Sequence, residues 1–190
     1  LLDDLAALIA HLGCKTVHLV GAKSGGSMAL KLAADRPALV RTVIGVTPPV
    51  VSATGVEDWR ERIRERGMTD WARHTMQGRL GSRVTPAELD WWVENLQGRT
   101  PVSTMMGYLR WVPKLDIRED VLKVACPALV ITTTGSGLRT VDGVRAWVST
   151  MQNARLVVLE GDAWHAAGAY PDRCAEESAR FLATVVPPDF

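Results

Sequence analysis

Two patterns overlap in one short stretch of the chain: Gly21-x-Lys23-x-Gly25, followed by Gly26, and Ala22-x-Ser24-x-Gly26. The residues before them, Thr16–Val20, read as a buried strand, and those after, Gly25–Asp35, as an alanine-rich helix. A chain that turns abruptly from strand to helix lifts one side chain at the apex, in front of the helix N-terminus. It needs small residues two before and two after that apex, because backbone passes close to backbone. Both registers meet this steric rule. With Ser24 at the apex the chemistry is that of a serine nucleophile, deprotonated by a histidine and passing through an acyl-enzyme. With Lys23 there, the helix dipole and burial both disfavour an ammonium and depress its pKa. A neutral amine forms a Schiff base or acts as a general base, whereas one that stays charged holds a carboxylate.

The elements that must position this turn follow from hydrophobic periodicity. Leu1–Leu12 carries apolar residues at positions 1, 2, 5, 8, 9 and 12, the period of an amphipathic helix that Gly13 ends. Val40–Val46, Ala128–Thr132 and Ala154–Leu159 are further apolar strands, the second directly after Cys126-Pro127. Thr140–Met151 and Pro171–Val185 read as helices. Short apolar strands alternating with amphipathic helices imply an α/β fold, a parallel sheet with helices on both faces. Residues 51 to 116 break the rhythm: they hold Trp59, Trp71, Trp91, Trp92 and Trp111, dense charge in Glu57–Arg66, and no strand pattern. Three or four helices are expected there, either packing on their own tryptophans or also lining a substrate pocket as a cap.

Composition sets bounds. At 190 residues, 47% hydrophobic and 23% charged, with net charge +1, the chain reads as an ordinary globular protein. A near-neutral balance argues against nucleic acid or an anionic membrane as the main partner, and no apolar run reaches the ~20 residues that span a bilayer. Cys14, Cys126 and Cys174 lie far apart without metal spacing, and read as buried thiols in a reducing compartment, hence the cytoplasm. No cofactor is implied, because no phosphate-binding glycine pattern stands in context and no metal-ligand cluster exists.

The order of elements, with His18-Leu19-Val20-Gly21, the turn, Leu32-Ala33-Ala34-Asp35-Arg36-Pro37, Cys126-Pro127-Ala128-Leu129-Val130 and Ala154–Gly161, resembles the cap-bearing branch of the α/β-hydrolase fold superfamily along essentially the whole chain. The resemblance implies a core of residues 1–50 and 117–190 and a helical cap of residues 51–116. It also implies first strands that would precede Leu1, so the elbow strand is expected to be a sheet edge covered by a missing N-terminal segment or by a second copy. Aligned without gaps, Lys23 falls where the family's nucleophile stands and Ser24 on the following position. The acid's place falls on Ser136, which cannot hold an imidazolium as a carboxylate does. His165, in Gly161-Asp162-Ala163-Trp164-His165, resembles the catalytic histidine after a one-residue loop adjustment, with Asp162 as a local orienting group.

The implied activity is that of an α/β-hydrolase-fold enzyme on a small apolar or aromatic ester, lactone or C–C bond substrate. Lys23 or Ser24 would stand at the elbow, His165 would be the acid/base, and Trp164, Met105 and Trp111 would contact substrate. Lyase-type chemistry enters if Lys23 is the working group. The alternative is a catalytically inactive binding or regulatory protein on the same fold, suggested by the missing acid.

Overall fold

Four strands, β1 (Val17–Ala22), β2 (Val40–Val46), β3 (Ala128–Thr133) and β4 (Ala154–Leu159), lie in that order in one parallel sheet. The computed structural model describes residues 1–52 and 56–185. The central strands are buried on both faces, Arg41 of β2 alone being half-buried, as sequences rich in Val, Ile and Leu require. β1 is an edge strand, and Val20 on it is 62% exposed. Parallel pairing sets Ala22 beside Val46, Val46 beside Ile131 and Thr133 beside Leu159, so the loops leaving all four strands emerge at one edge of the sheet. In open α/β sheets that edge is where ligands bind.

Alternate residues of the strands enter separate cores. Val43 and Ala128 pack with α1 (Leu2–His11) and α2 (Ser24–Asp35). Ile44, Val46, Leu129 and Ile131 pack with α8 (Ala166–Ala169) and α9 (Pro171–Val185) on the other face. Val130 meets Val144 and Val148 of α7 (Val141–Val148). Helices therefore cover both faces. Relative to expectation, β1 runs on to Ala22 and α2 begins at Ser24, which narrows the turn to Lys23. The expected helix 140–151 is shorter, because the Thr140 side chain caps it by accepting from the Gly143 N–H (3.1 Å) and Ser149–Met151 turn away. Cys174 is buried, but Cys14 is exposed, against the expectation of buried thiols, since it lies in the turn after α1.

Between β2 and β3 the chain leaves the sheet for α3 (Val56–Leu80), α4 (Pro86–Asn95) and α5 (Val102–Trp111), before α6 (Arg118–Val121) returns it. Residues 53–55 of the expected 51–116 segment, and residues 186–190 of the expected core, lie outside the described residues. Gly67, at φ 81°, breaks α3 into two helical arms. A Thr85–Glu88 capping box starts α4. The excursion has its own core, centred on Trp71, Met76, Leu80, Val93 and Leu109. Its two ends are joined where the Ser52 N–H donates to Leu115 O (2.7 Å) and the Ile117 N–H to Val50 O (2.8 Å). Among the described residues no helix is long and apolar enough to cross a membrane.

Candidate active site

Lys23 occupies the turn between β1 and α2 with φ 53° and ψ −128°, a left-handed backbone that non-glycine residues rarely adopt. The neighbouring glycines explain how the turn closes. A Cβ on Gly21 would lie 2.4 Å from the Gly25 carbonyl oxygen, and one on Gly26 would lie 2.8 Å from the Gly21 oxygen and 2.9 Å from Pro48. Gly25 has open space around its Cβ position, so the tight pair is Gly21 and Gly26. Ser24 is the first residue of the helix. Its hydroxyl shares a 2.7 Å hydrogen bond with the Tyr108 hydroxyl of α5.

The Lys23 side chain enters a cavity of about 350 Å³ between the strand ends and the helical excursion. Its amine donates to the Trp164 carbonyl (3.0 Å) and lies 4.6 Å from the centre of the Trp164 ring. Burial, and then the positive charges of Arg79 and Arg139, lower the Lys23 pKa to about 7. The N-terminus of α2 acts in the same direction. Arg79, from the end of α3, stacks its guanidinium 4.6 Å from the Trp71 ring and 5.1 Å from the Trp164 ring, and burial lowers its own pKa to about 10. Arg139 donates to the carbonyls of Leu138, Val51 and Ser52. Among the described residues no Asp or Glu lines this cavity.

His165 lines the same cavity, on a loop that three bonds fix. Thr133 Oγ1 donates to Ala163 O (2.7 Å), the Gly135 N–H to Gly161 O (2.8 Å), and the His165 N–H to Arg79 O (2.9 Å). Its Nδ1 accepts from the Gly168 N–H (3.1 Å), so the neutral ring carries its proton on Nε2. A carboxylate at Nδ1, as in a catalytic triad, would select the opposite tautomer and leave Nε2 free to take a proton. Burial, and then the charge of Lys23, push the His165 pKa below its ordinary value.

Ser136, Trp164 and Met105 line the cavity together with Lys23, Ser24 and His165. Two expectations are corrected. Trp111 is 39% exposed and faces a separate groove beside Leu1, Met28 and Lys114, because the turn of α5 that reaches the cavity presents Tyr108 instead. Asp162 does not orient His165: its carboxylate accepts from the Ser82 N–H (2.9 and 3.1 Å), tying the end of α3 to the loop after β4. His18 hydrogen-bonds Thr42 across the strand pair (2.8 Å) and stands outside the cavity.

Arg79, Arg139, Tyr108 and Thr47 also line the cavity, outside the expectations from sequence. Thr47 directly follows β2 with φ 48°, strained for a β-branched residue, and its buried hydroxyl has no hydrogen-bond partner while lining the cavity. Its place at the end of a parallel strand, level with Lys23, was the available signal. The two arginines stand in no motif.

Neither a protein-family model nor a curated protein matches the sequence. Solved structures do match in shape. The enol-lactonase from Burkholderia xenovorans LB400 superposes with a TM-score of 0.86 at 19% identity, covering 96% of this chain and 72% of that one. A thermophilic esterase from Thermogutta terrifontis gives 0.84 at 21% identity, over 98% and 72%. A bromoperoxidase from Bacillus anthracis gives 0.85 at 14%, over 96% and 72%.

Proposed function

Because this chain has the α/β-hydrolase fold, we propose that its cavity is an active site that cleaves a bond beside a carbonyl carbon in a small molecule: an ester, a lactone, or a C–C bond next to a ketone. Lys23 is the working amine, His165 a hydrogen-bond donor facing the same cavity, and the helical excursion the cap over the site. The observation that carries this reading is Lys23 itself, a strained residue at the strand–helix turn with its amine in the cavity and a pKa near neutrality. The esterase and enol-lactonase neighbours support hydrolysis. The bromoperoxidase shares the shape under a different name, so the choice rests on the site.

At pH 7 about half of such amines are neutral, against about one in three thousand for an unperturbed lysine. Direct acyl transfer to Lys23 would end in an amide, which does not turn over readily, so the amine works as a general base. It takes a proton from water, and the hydroxide adds to the carbonyl carbon. The tetrahedral intermediate then expels an alkoxide, or an enolate where the broken bond is C–C, and the Lys23 ammonium returns the proton to that leaving group. The Ser24 amide at the start of α2 and the His165 Nε2–H are the donors for the oxyanion. His165 is thus an acid rather than a base in its neutral form. No cofactor enters the scheme.

Hydrolysis of short p-nitrophenyl esters, a simple lactone and an aryl β-diketone by the unaltered chain, Lys23→Ala, Ser24→Ala and His165→Ala tests the reading. Lys23→Ala is expected to lose about 10²- to 10⁴-fold in rate, with Ser24→Ala largely active. If all four proteins match the uncatalysed rate on every substrate, the enzymatic reading fails. A second reading, a binding protein on the same fold, is favoured by the lack of a lining carboxylate among the described residues and by the backbone bond at His165 Nδ1. It predicts ligands that raise Tm without turnover.

A further inference from the structure

We propose that the cavity takes a small organic carboxylate on an aromatic or apolar body, with the Arg79 guanidinium as the counter-ion of the carboxylate. The inference rests on the reading of this cavity as the active site, and names the class of molecule that the site accepts.

Three cationic side chains, Lys23, Arg79 and Arg139, line one cavity of about 350 Å³, and no acidic side chain among the described residues lines it with them. A buried charge is stable only when paired or well hydrogen-bonded. Arg139 answers that need with three backbone carbonyls. Lys23 answers it partly with the Trp164 carbonyl. Arg79 has no such answer. Among the described residues it forms no ion pair, its Nε, like that of Arg139, is buried without a partner, and it lies against the faces of Trp71, Trp164 and Trp59, with Tyr108 near enough to act on its charge. Indole faces stabilise a cation and hold its plane, but they leave the in-plane N–H groups unpaired. A guanidinium fixed in that way is prepared for a bidentate anion.

The walls define the rest of the ligand. Trp59, Trp71, Trp164 and Met105 make most of the surface apolar, which suits a flat hydrocarbon body and not a sugar. The unpartnered Thr47 hydroxyl supplies one further polar contact on the strand side, level with Lys23. The ligand's anion therefore serves as a handle at Arg79, and the reacting carbonyl lies toward Lys23. A planar carboxylate of single charge matches one stacked guanidinium among aromatic rings better than a tetrahedral dianion does.

The test is equilibrium binding, read by tryptophan fluorescence and by Tm, of 3-phenylpropanoate, its neutral amide, 2-phenylethylamine, phenyl phosphate and inorganic phosphate. The carboxylate is expected to bind the unaltered chain about 10- to 100-fold more tightly than the amide, and the amine not at all. Arg79→Gln should level carboxylate and amide, and Arg79→Lys should recover only part of the difference. Equal binding of carboxylate and amide to the unaltered chain overturns the proposal and needs no variant to fold. So does a preference that survives Arg79→Gln, and so does tighter binding of phenyl phosphate than of the carboxylate. Carboxylate binding that depends on Arg79, without turnover of any ester, would remove the enzymatic reading and leave this one. Turnover of neutral and carboxylate-bearing esters at equal kcat/KM, with no carboxylate binding, would do the reverse.

Discussion

Replacing Lys23 by Met removes the ammonium and keeps an unbranched stem of similar length. In the folded chain burial, Arg79 and Arg139 lower the Lys23 pKa from 10.5 to about 7. Between those two values the unfolded chain holds a proton at this site that the folded chain has lost. Stability must therefore rise with pH across the window, and the full penalty is present below the folded pKa. Integrating across that shift, Lys23 costs about 4 kcal/mol at pH 7 and about 2 kcal/mol at pH 9. Lys23→Met is free of this term. Its stability advantage over the unaltered chain should accordingly shrink by about 2 kcal/mol between pH 7 and pH 9. Urea unfolding of both proteins at several pH values measures the difference, and the titrations of Cys126 and Cys174, common to both, cancel. A difference that stays flat across the window would mean that Lys23 keeps an ordinary pKa on folding. The general-base mechanism would fall with it.

Two further outcomes follow from the turn and from His165. Gly21→Ala and Gly26→Ala force a Cβ within 2.8 Å of backbone oxygen, and each should lose about 1–3 kcal/mol or more of stability, whereas Gly25→Ala, in open space within α2, should be neutral or gain up to about 1 kcal/mol; urea midpoints separate the cases, and equal losses at all three sites would refute the packing argument. Nitrogen NMR of the His165 ring should find the proton on Nε2 of the neutral form, because Gly168 donates to Nδ1, and should find the ring titrating below its ordinary pKa; a proton on Nδ1 would restore a triad-like base and contradict its assignment as a donor.

The framework of the fold was legible because it depends on local pattern. Val40–Val46 and Ala154–Leu159 are predominantly apolar runs between turn signals, each carrying one arginine near its start (Arg41, Arg155), and Pro171–Val185 is an amphipathic run that opens with proline. All three have the expected bounds. The end of β1 and the start of α2 were not legible, because Gly21 and Ser24 have weak preferences of their own and Ala22, a helix former, stands in the strand. Their states are set by the approach of Gly21 to Gly25 and Gly26, a contact that exists only after the helix has packed on the strand. Small residues at the required spacing did not separate the two overlapping patterns for the same reason. The ungapped count to the family pattern favours Lys23, and the backbone puts Lys23 in the turn and Ser24 on the first residue of the helix.

The candidate site was legible in its strand-end residues and not in its charge. A parallel sheet guarantees that residues just beyond β1, β3 and β4 share one edge, so Lys23, Ser136 and His165 could be brought together by counting. Arg79 reaches the cavity from the end of a kinked helix in the excursion, and Arg139 from the loop before α7, and neither position follows from any strand. A net charge of +1 conceals the result, since composition fixes the sum of charges and not their placement. The same three cations bear on both proposals. Burial, and then Arg79 and Arg139, drive Lys23 toward the neutral amine, and a carboxylate that binds Arg79 must reverse the Arg79 part of that drive. Occupancy should therefore raise the Lys23 pKa and draw a proton into the site. A substrate that loses its anionic handle would leave the amine neutral but unanchored, so recognition and base strength oppose each other in this cavity.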